Sequence, residues 1–257
     1  MFEGRGAPLT ESELTQATGA LGVELPALWA VMTVETRGCG FLVDRRPLIL
    51  FERHVFHRLT NGEFDDAAPG LSNPAPGGYG PLGAAQYERL GQAIALNRTA
   101  ALESASWGLG QVMGFNSSEA GFAGVESMVA AMSDSEDSQF QAMVGFIRKH
   151  NLQEYLRRED WAGFAFHYNG PDFQKNKYDS KLSLASARFK VGPLPSLRVR
   201  AAQLYLAYLG YDPSRVDGWF GNRSQSALIK FQTDKGLPAS GTLDDATFKA
   251  IEQAATS

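Results

Sequence analysis

The chain has 257 residues, 44% of them hydrophobic and 20% charged, with a net charge of -4. That length exceeds one compact helical core and suits a medium domain plus a small one, and that balance of residues is ordinary for a globular chain and argues against disorder. The acidic excess excludes a general nucleic-acid binder, which needs a basic surplus.

The N-terminal run MFEGRGAPLTESEL lacks the basic and then apolar order of a signal peptide, and no stretch has the uncharged length of a bilayer span. The expectation is synthesis in the cytoplasm without membrane insertion. The single cysteine, Cys39, has no internal partner for a disulfide, so it reads as a small buried apolar residue.

A first helix is predicted after Pro8, with Thr10 and Glu13 as a capping-box pair and Leu14, Ala17 and Leu21 on one face. A second begins near Pro26, carries Leu28, Val31, Met32 and Glu35, and stops at Gly38 and Gly40. Residues 40–52 place a polar Asp44-Arg45-Arg46 turn between apolar flanks, the pattern of a short β-hairpin. The Gly- and Pro-rich segment 65–83 reads as a loop, with Asp65 and Asp66 as a solvated turn. Helices are predicted over 84–95, 98–105, 118–132, 136–150 and 159–168, with another after Pro171.

VGPLPS, residues 191–196, breaks the pattern and marks a linker between a domain at 1–190 and a module at 197–257. The module reads as three helices. VRAAQLYLAYLGY is an amphipathic helix and DGWFG a tight turn. The last helix has Thr242 as its N-cap and Asp245 at the third position. Its expected core includes Ala202, Leu206, Phe220, Leu228, Phe231 and Ile251.

Glu35 is the first candidate for chemistry. It follows Trp29, Val31, Met32 and Val34 in the last turn of an apolar helix. The negative helix pole and apolar neighbours both favour its neutral, proton-donating form, whereas Arg37 would oppose them if it reached the carboxyl group. A carboxyl group with a raised pKa is what glycoside cleavage needs beside the leaving oxygen.

The module, from VRAAQLYLAYLGY through VDGWFG and ALIKFQ to GLPASGTLD, resembles the peptidoglycan-binding domain family of cell-wall hydrolases. That resemblance implies binding through exposed groups such as Asp217, Trp219, Asn222 and Arg223. Trp219 either stacks on a ligand or caps the core.

VETRGCGF (34–41), SWGLGQVMG (106–114) and FHYNGP (166–171) resemble the helix-ending glutamate, SxGLMQ-type and AYNxG-type segments of goose-type lysozymes and lytic transglycosylases. ILFERHVFHRL (49–59) is similar to the most recognisable run of the phage endolysin N-acetylmuramidase family, and the combined match spans roughly residues 8–190. The implied fold is mainly α: a lysozyme-like domain with a small β-hairpin, followed by the three-helix module. The implied activity is hydrolysis of the β-1,4 bond between N-acetylmuramic acid and N-acetylglucosamine.

Carried over by position, Glu35 is the general acid, and Ser106, Gln111, Tyr168 and Asn169 shape the sugar cleft. Gly110 stands where the transglycosylase pattern has methionine, and Thr36 where serine often follows the glutamate. Asp44, Glu52 and Glu103, in that order, are candidates for a second carboxylate. Asp44 also fits the Glu-x8-Asp spacing of T-even phage lysozymes, although Leu50 stands where their threonine is expected.

His54, His57, His150 and His167 lack the companions of a zinc site, so no metal or cofactor is expected. The expected partner is peptidoglycan, met by a monomer on the periplasmic wall after a holin grants access. A lytic transglycosylase and a non-catalytic wall-binding protein are the alternatives.

Overall fold

The computed structural model describes residues 2–36 and 38–257; Arg37, expected to bear on Glu35, lies outside the described residues. The first helix, α1 (Glu11–Leu21), starts where Thr10 accepts a hydrogen bond from the Glu13 N–H. The expected capping box is half formed. The Thr10 N–H goes to Asp137 Oδ1 at 2.8 Å, and the Glu13 carboxylate instead accepts from Gln141 Nε2. A tertiary contact has taken the place of the local one.

The central helix is α2 (Leu25–Thr36), where Ala27 through Met32 are all buried. A helix apolar on every side belongs inside a core. Beyond it, Phe41 and Pro47 form an isolated antiparallel bridge around the turn, where Arg45 takes a φ of 65°. The expected hairpin is reduced to this bridge. The Gly40 N–H is drawn away to Glu136, and Pro47 has no N–H to give. The second arm continues as β1 (Ile49–Phe51), which pairs with a distant segment.

Helix α3 (Arg53–Leu59) follows at once, and 60–84 is irregular except for turns. Then come α4 (Ala85–Leu96) and α5 (Arg98–Glu103), the latter capped by Asn97. The latter stops short of the predicted end because Ala105–Trp107 is strand β2. It lies antiparallel to β1, with Ile49 opposite Trp107, and to β3 (Val112–Met113), with Ser106 opposite Met113.

Next are α6 (Val125–Asp134), shorter than expected at its start, α7 (Glu136–Lys149), α8 (Gln153–Arg158), which was not predicted, and α9 (Trp161–Asn169). The last helix of this unit, α10 (Tyr178–Val191), packs along α2 and α9. Its first turn lies beside the last turn of α2. One apolar cluster unites these elements around Leu28, Met32, Phe51, Trp107, Phe140 and Phe164.

Residues 192–196 carry no regular element. The remainder is α11 (Leu197–Tyr208), α12 (Asn222–Asp234) and α13 (Asp245–Thr256) around a second cluster of Ala202, Leu206, Leu228, Phe231 and Ile251. Three details differ from expectation. Asp244, not Thr242, caps α13, accepting from the Thr247 N–H at 2.7 Å; the carboxylate stands directly before the first turn. Phe220 is exposed rather than core. And α11 is not amphipathic: Arg200 through Leu206 are all buried, because one side meets the second cluster and the other meets the first unit.

Candidate active site

Glu35 sits in the last turn of α2, half-buried, and its Oε1 accepts a hydrogen bond from Asn169 Nδ2 at 2.8 Å. Burial raises its pKa from 4.5 to about 7, against the opposing pull of the Asn169 hydrogen bond and the Lys181 ammonium. The negative pole of α2 acts in the same direction as burial. The group is therefore a carboxylic acid near neutrality that can still give up its proton.

The end of α9 delivers Asn169 and Tyr168 to the same place. The Tyr168 hydroxyl donates to the Gly110 carbonyl at 2.7 Å, and its ring stacks on Phe164. Burial, followed by the charge of Glu35, raises the Tyr168 phenol well above its ordinary value. Gly110 explains its departure from the methionine pattern. A Cβ there would lie 2.6 Å from the Met143 Cβ and 3.1 Å from the Tyr168 hydroxyl.

The start of α10 adds two groups that sequence reasoning missed, Lys181 and Tyr178. Burial pushes the Tyr178 phenol up to about 12, and the charges of Glu35, Tyr79 and Glu52 add to the shift. Tyr178 thus stands within the field of both Glu35 and Glu52. Glu52 is half-buried just before α3. Burial raises its pKa, and a hydrogen bond with Tyr79 works against that. Its Oε2 lies 3.2 Å from His54 Nδ1. Tyr79 comes from the irregular segment read only as a loop; its single aromatic ring among glycines and prolines was the available signal.

The other candidate carboxylates are placed differently. Asp44 is tied to Arg46, whose Nε donates to its Oδ2 at 2.9 Å. Burial alone would raise the Asp44 pKa, but the Arg46 bonds outweigh it and hold the carboxyl below its usual range. That Arg46 also lies over the Tyr87 ring. Glu103 ends α5, where Gly114 packs closely on its backbone. Among the described residues, no bond links Asp44 or Glu103 to Glu35.

Ser106 and Gln111 stand one step back. The Ser106 hydroxyl donates to Gln111 Oε1 at 2.8 Å, and Gln111 Nε2 donates to the Gly108 carbonyl at 2.9 Å and the Leu48 carbonyl at 3.2 Å. They fix the β2–β3 turn that presents the Gly110 carbonyl to Tyr168.

The histidines have separate neighbours: Glu52 for His54, Asp65 for His57, Glu119 for His150 and the Tyr155 ring for His167. Asp65 is not merely a solvated turn, since it also accepts from the Ser72 hydroxyl. Cys39 is half-buried, with its thiol pushed up to about 12 by burial and then by Glu136.

In the second unit, Asp217 Oδ1 accepts from the Trp219 N–H at 3.0 Å and so holds the DGWFG turn. Both residues line a cavity of about 510 Å³ with Asn222 and Arg223. Trp219 is half-buried; it packs against the first apolar cluster and lies 5.3 Å from the Arg188 guanidinium.

Comparison with known proteins agrees with this layout. The family described as N-acetylmuramidase matches residues 24–190, and the one described as "Putative peptidoglycan binding domain" matches residues 196–251. A solved structure, the endolysin of a Burkholderia phage, AP3, is 40% identical with a TM-score of 0.65, covering 71% of each chain. Among curated proteins, "Putative OxPP cycle protein OpcA" of Synechococcus elongatus is 44% identical over 52 residues, which are 20% of this chain. The chain spans 12% of the length of that relative.

Proposed function

Because the chain belongs to the N-acetylmuramidase family and carries a peptidoglycan-binding domain behind it, we propose that it is a peptidoglycan hydrolase whose general acid is Glu35. The observation that carries the assignment is a half-buried helix-end carboxyl with its pKa near 7, held by Asn169. The bond cut is the β-1,4 link between N-acetylmuramic acid and N-acetylglucosamine.

Glu35 protonates the bridging oxygen as the bond breaks, and Asn169 fixes the direction of the carboxyl. Glu52 is the second carboxylate, in place of Asp44. The reasons are that Arg46 ties up the Asp44 carboxylate, and that Tyr178 feels the charges of both Glu35 and Glu52. As a carboxylate it stabilises the oxocarbenium-like sugar or guides the attacking water. Tyr79 holds Glu52 by a hydrogen bond.

Catalysis belongs to residues 1–190 and wall binding to 197–257, joined by 191–196. The cavity beside Asp217 and Trp219 is where the module takes its ligand. Holding the enzyme on an insoluble polymer raises the local substrate concentration. The proposal extends to an enzyme made in the host cytoplasm that reaches the periplasmic wall through a holin and works as a monomer.

The test is Glu35→Gln in a turbidity assay on outer-membrane-stripped cells, with binding to purified sacculi measured in parallel. Loss of lysis with binding retained is expected. Lysis equal to the parent would remove Glu35 from the mechanism. Mass spectrometry of the released muropeptides should show hydrated reducing ends; anhydro sugars as the main product would make the enzyme a lytic transglycosylase.

A further inference from the structure

The C-terminal helices are seated on the loop that closes the Glu35 helix. Glu136 opens α7, and its carboxylate is wholly buried. Its Oε2 accepts from the Leu9 N–H at 3.0 Å, and its Oε1 accepts from the Gly40 N–H at 3.0 Å. Arg200, in the first turn of α11, is 1% exposed and donates to both oxygens of that carboxylate. The same guanidinium donates from Nε to the Gly38 carbonyl at 2.7 Å, and from Nη2 as well. The Val216 carbonyl also lies against Gly38.

Gly38 is the first described residue beyond the turn that bears Glu35 and Thr36, and Gly40 follows two positions on. One is gripped by Arg200 and the other by Glu136. A buried ion pair adds little net stability over an apolar pair, but one with its hydrogen bonds filled fixes geometry. Further contacts hold the same docking. The Tyr208 hydroxyl donates to the Gly6 carbonyl at 2.9 Å, and Arg45 donates to the Ala255 carbonyl.

The geometry points to Arg200 as a positioning residue for Glu35, which makes the peptidoglycan-binding module a working part of the catalytic site as well as an anchor. This rests on the reading of Glu35 as the acid. With the clamp in place, the end of α2 is held in one position against α9 and α10. Without it, Glu35 loses its fixed distance to Asn169 and gains water.

The test compares three full-length proteins: the parent, Arg200→Lys, and the paired Arg200→Met/Glu136→Met. Lysine keeps the charge but lacks the planar fork that reaches Glu136 and Gly38 together. The methionine pair removes both charges and leaves neither ion buried alone. Turnover is measured at saturation on soluble, peptide-free glycan strands, so that attachment to the insoluble wall does not set the rate. Sacculus binding and near-UV circular dichroism are followed alongside.

Expected is a kcat lowered about tenfold to a hundredfold, the cost of misplacing a reacting group by roughly an ångström. KM should stay within about twofold of the parent, a split that marks lost positioning and not lost binding. The alkaline limb of kcat should move to lower pH, as a better-hydrated Glu35 ionises earlier. The groups facing Glu35 are Tyr168, Asn169, Tyr178 and Lys181, with Glu52 and Tyr79 beyond Tyr178, and neither variant alters them.

Folded variants with parental kcat and an unmoved limb would overturn the proposal. So would a change confined to sacculus binding, or the failure of both variants to fold, which would make the pair a support of the fold alone. Glu35→Gln, run in the same assay, separates the two readings: parental turnover in that protein sinks the acid assignment, whatever Arg200 does.

Discussion

The pKa of Glu35 ties stability to function at a single residue. The native site holds the proton more tightly than the unfolded chain, since the carboxyl rises from 4.5 to about 7 on folding. This contribution to stability is fully present below pH 4.5, is lost as pH rises through 7, and stays lost above. Glu35→Gln removes the titration. The stability of the parent relative to this variant should therefore fall by up to about 3 kcal/mol between pH 4 and pH 8, read from urea unfolding at each pH. Lytic activity should fade over the same alkaline limb. Tyr168→Phe deletes the hydroxyl that donates to the Gly110 carbonyl, and chemical denaturation should show a loss of about 1 kcal/mol. Glu35, Tyr168 and Asn169 were legible because short motifs carry them in chain order. Spacing places Asp44 ahead of Glu52, but spacing counts residues and says nothing of direction; in the structure Arg46, two positions on, turns back and binds the Asp44 carboxylate. Lys181, Tyr178 and Tyr79 carry no local signal of chemistry.

Helix ends and tight approaches set the next scale. Asp244 caps α13, so Asp244→Ala should cost about 1 kcal/mol in thermal or chemical unfolding. Thr242→Ala, at the position that sequence spacing favoured, should stay within about 0.5 kcal/mol. Gly40→Ala should lower both Tm and lysis. The added Cβ would fall 1.8 Å from Gln139 Oε1, and that amide is locked by bonds to Leu109 N–H and the Met132 carbonyl. Most helices were visible from periodicity and caps, because those signals are local. The failures came where a second surface intervened. The strand β1 left its predicted hairpin for β2, and α11, which reads as one-sided, is covered on two sides.

Across the whole molecule, the two apolar clusters are joined by Arg200 and Glu136. Arg200→Ala leaves the Glu136 carboxylate buried without its counter-charge and should destabilise by about 3–5 kcal/mol, whereas the methionine pair should come close to neutral. Calorimetry on the full chain checks both, and the parent should unfold in one transition because the docking couples its halves. By itself the sequence determined a mainly helical chain, its family, its two-part order and the helix-end glutamate. These follow from periodicity, turn residues and motifs, all written over short stretches. Only the tertiary structure decided that Tyr178 feels both Glu35 and Glu52, what Trp219 packs against, and that Arg200 reaches Gly38. Those depend on which surfaces meet, and burial, the force behind the Glu35 pKa and the closed ion pair alike, exists only once they have met.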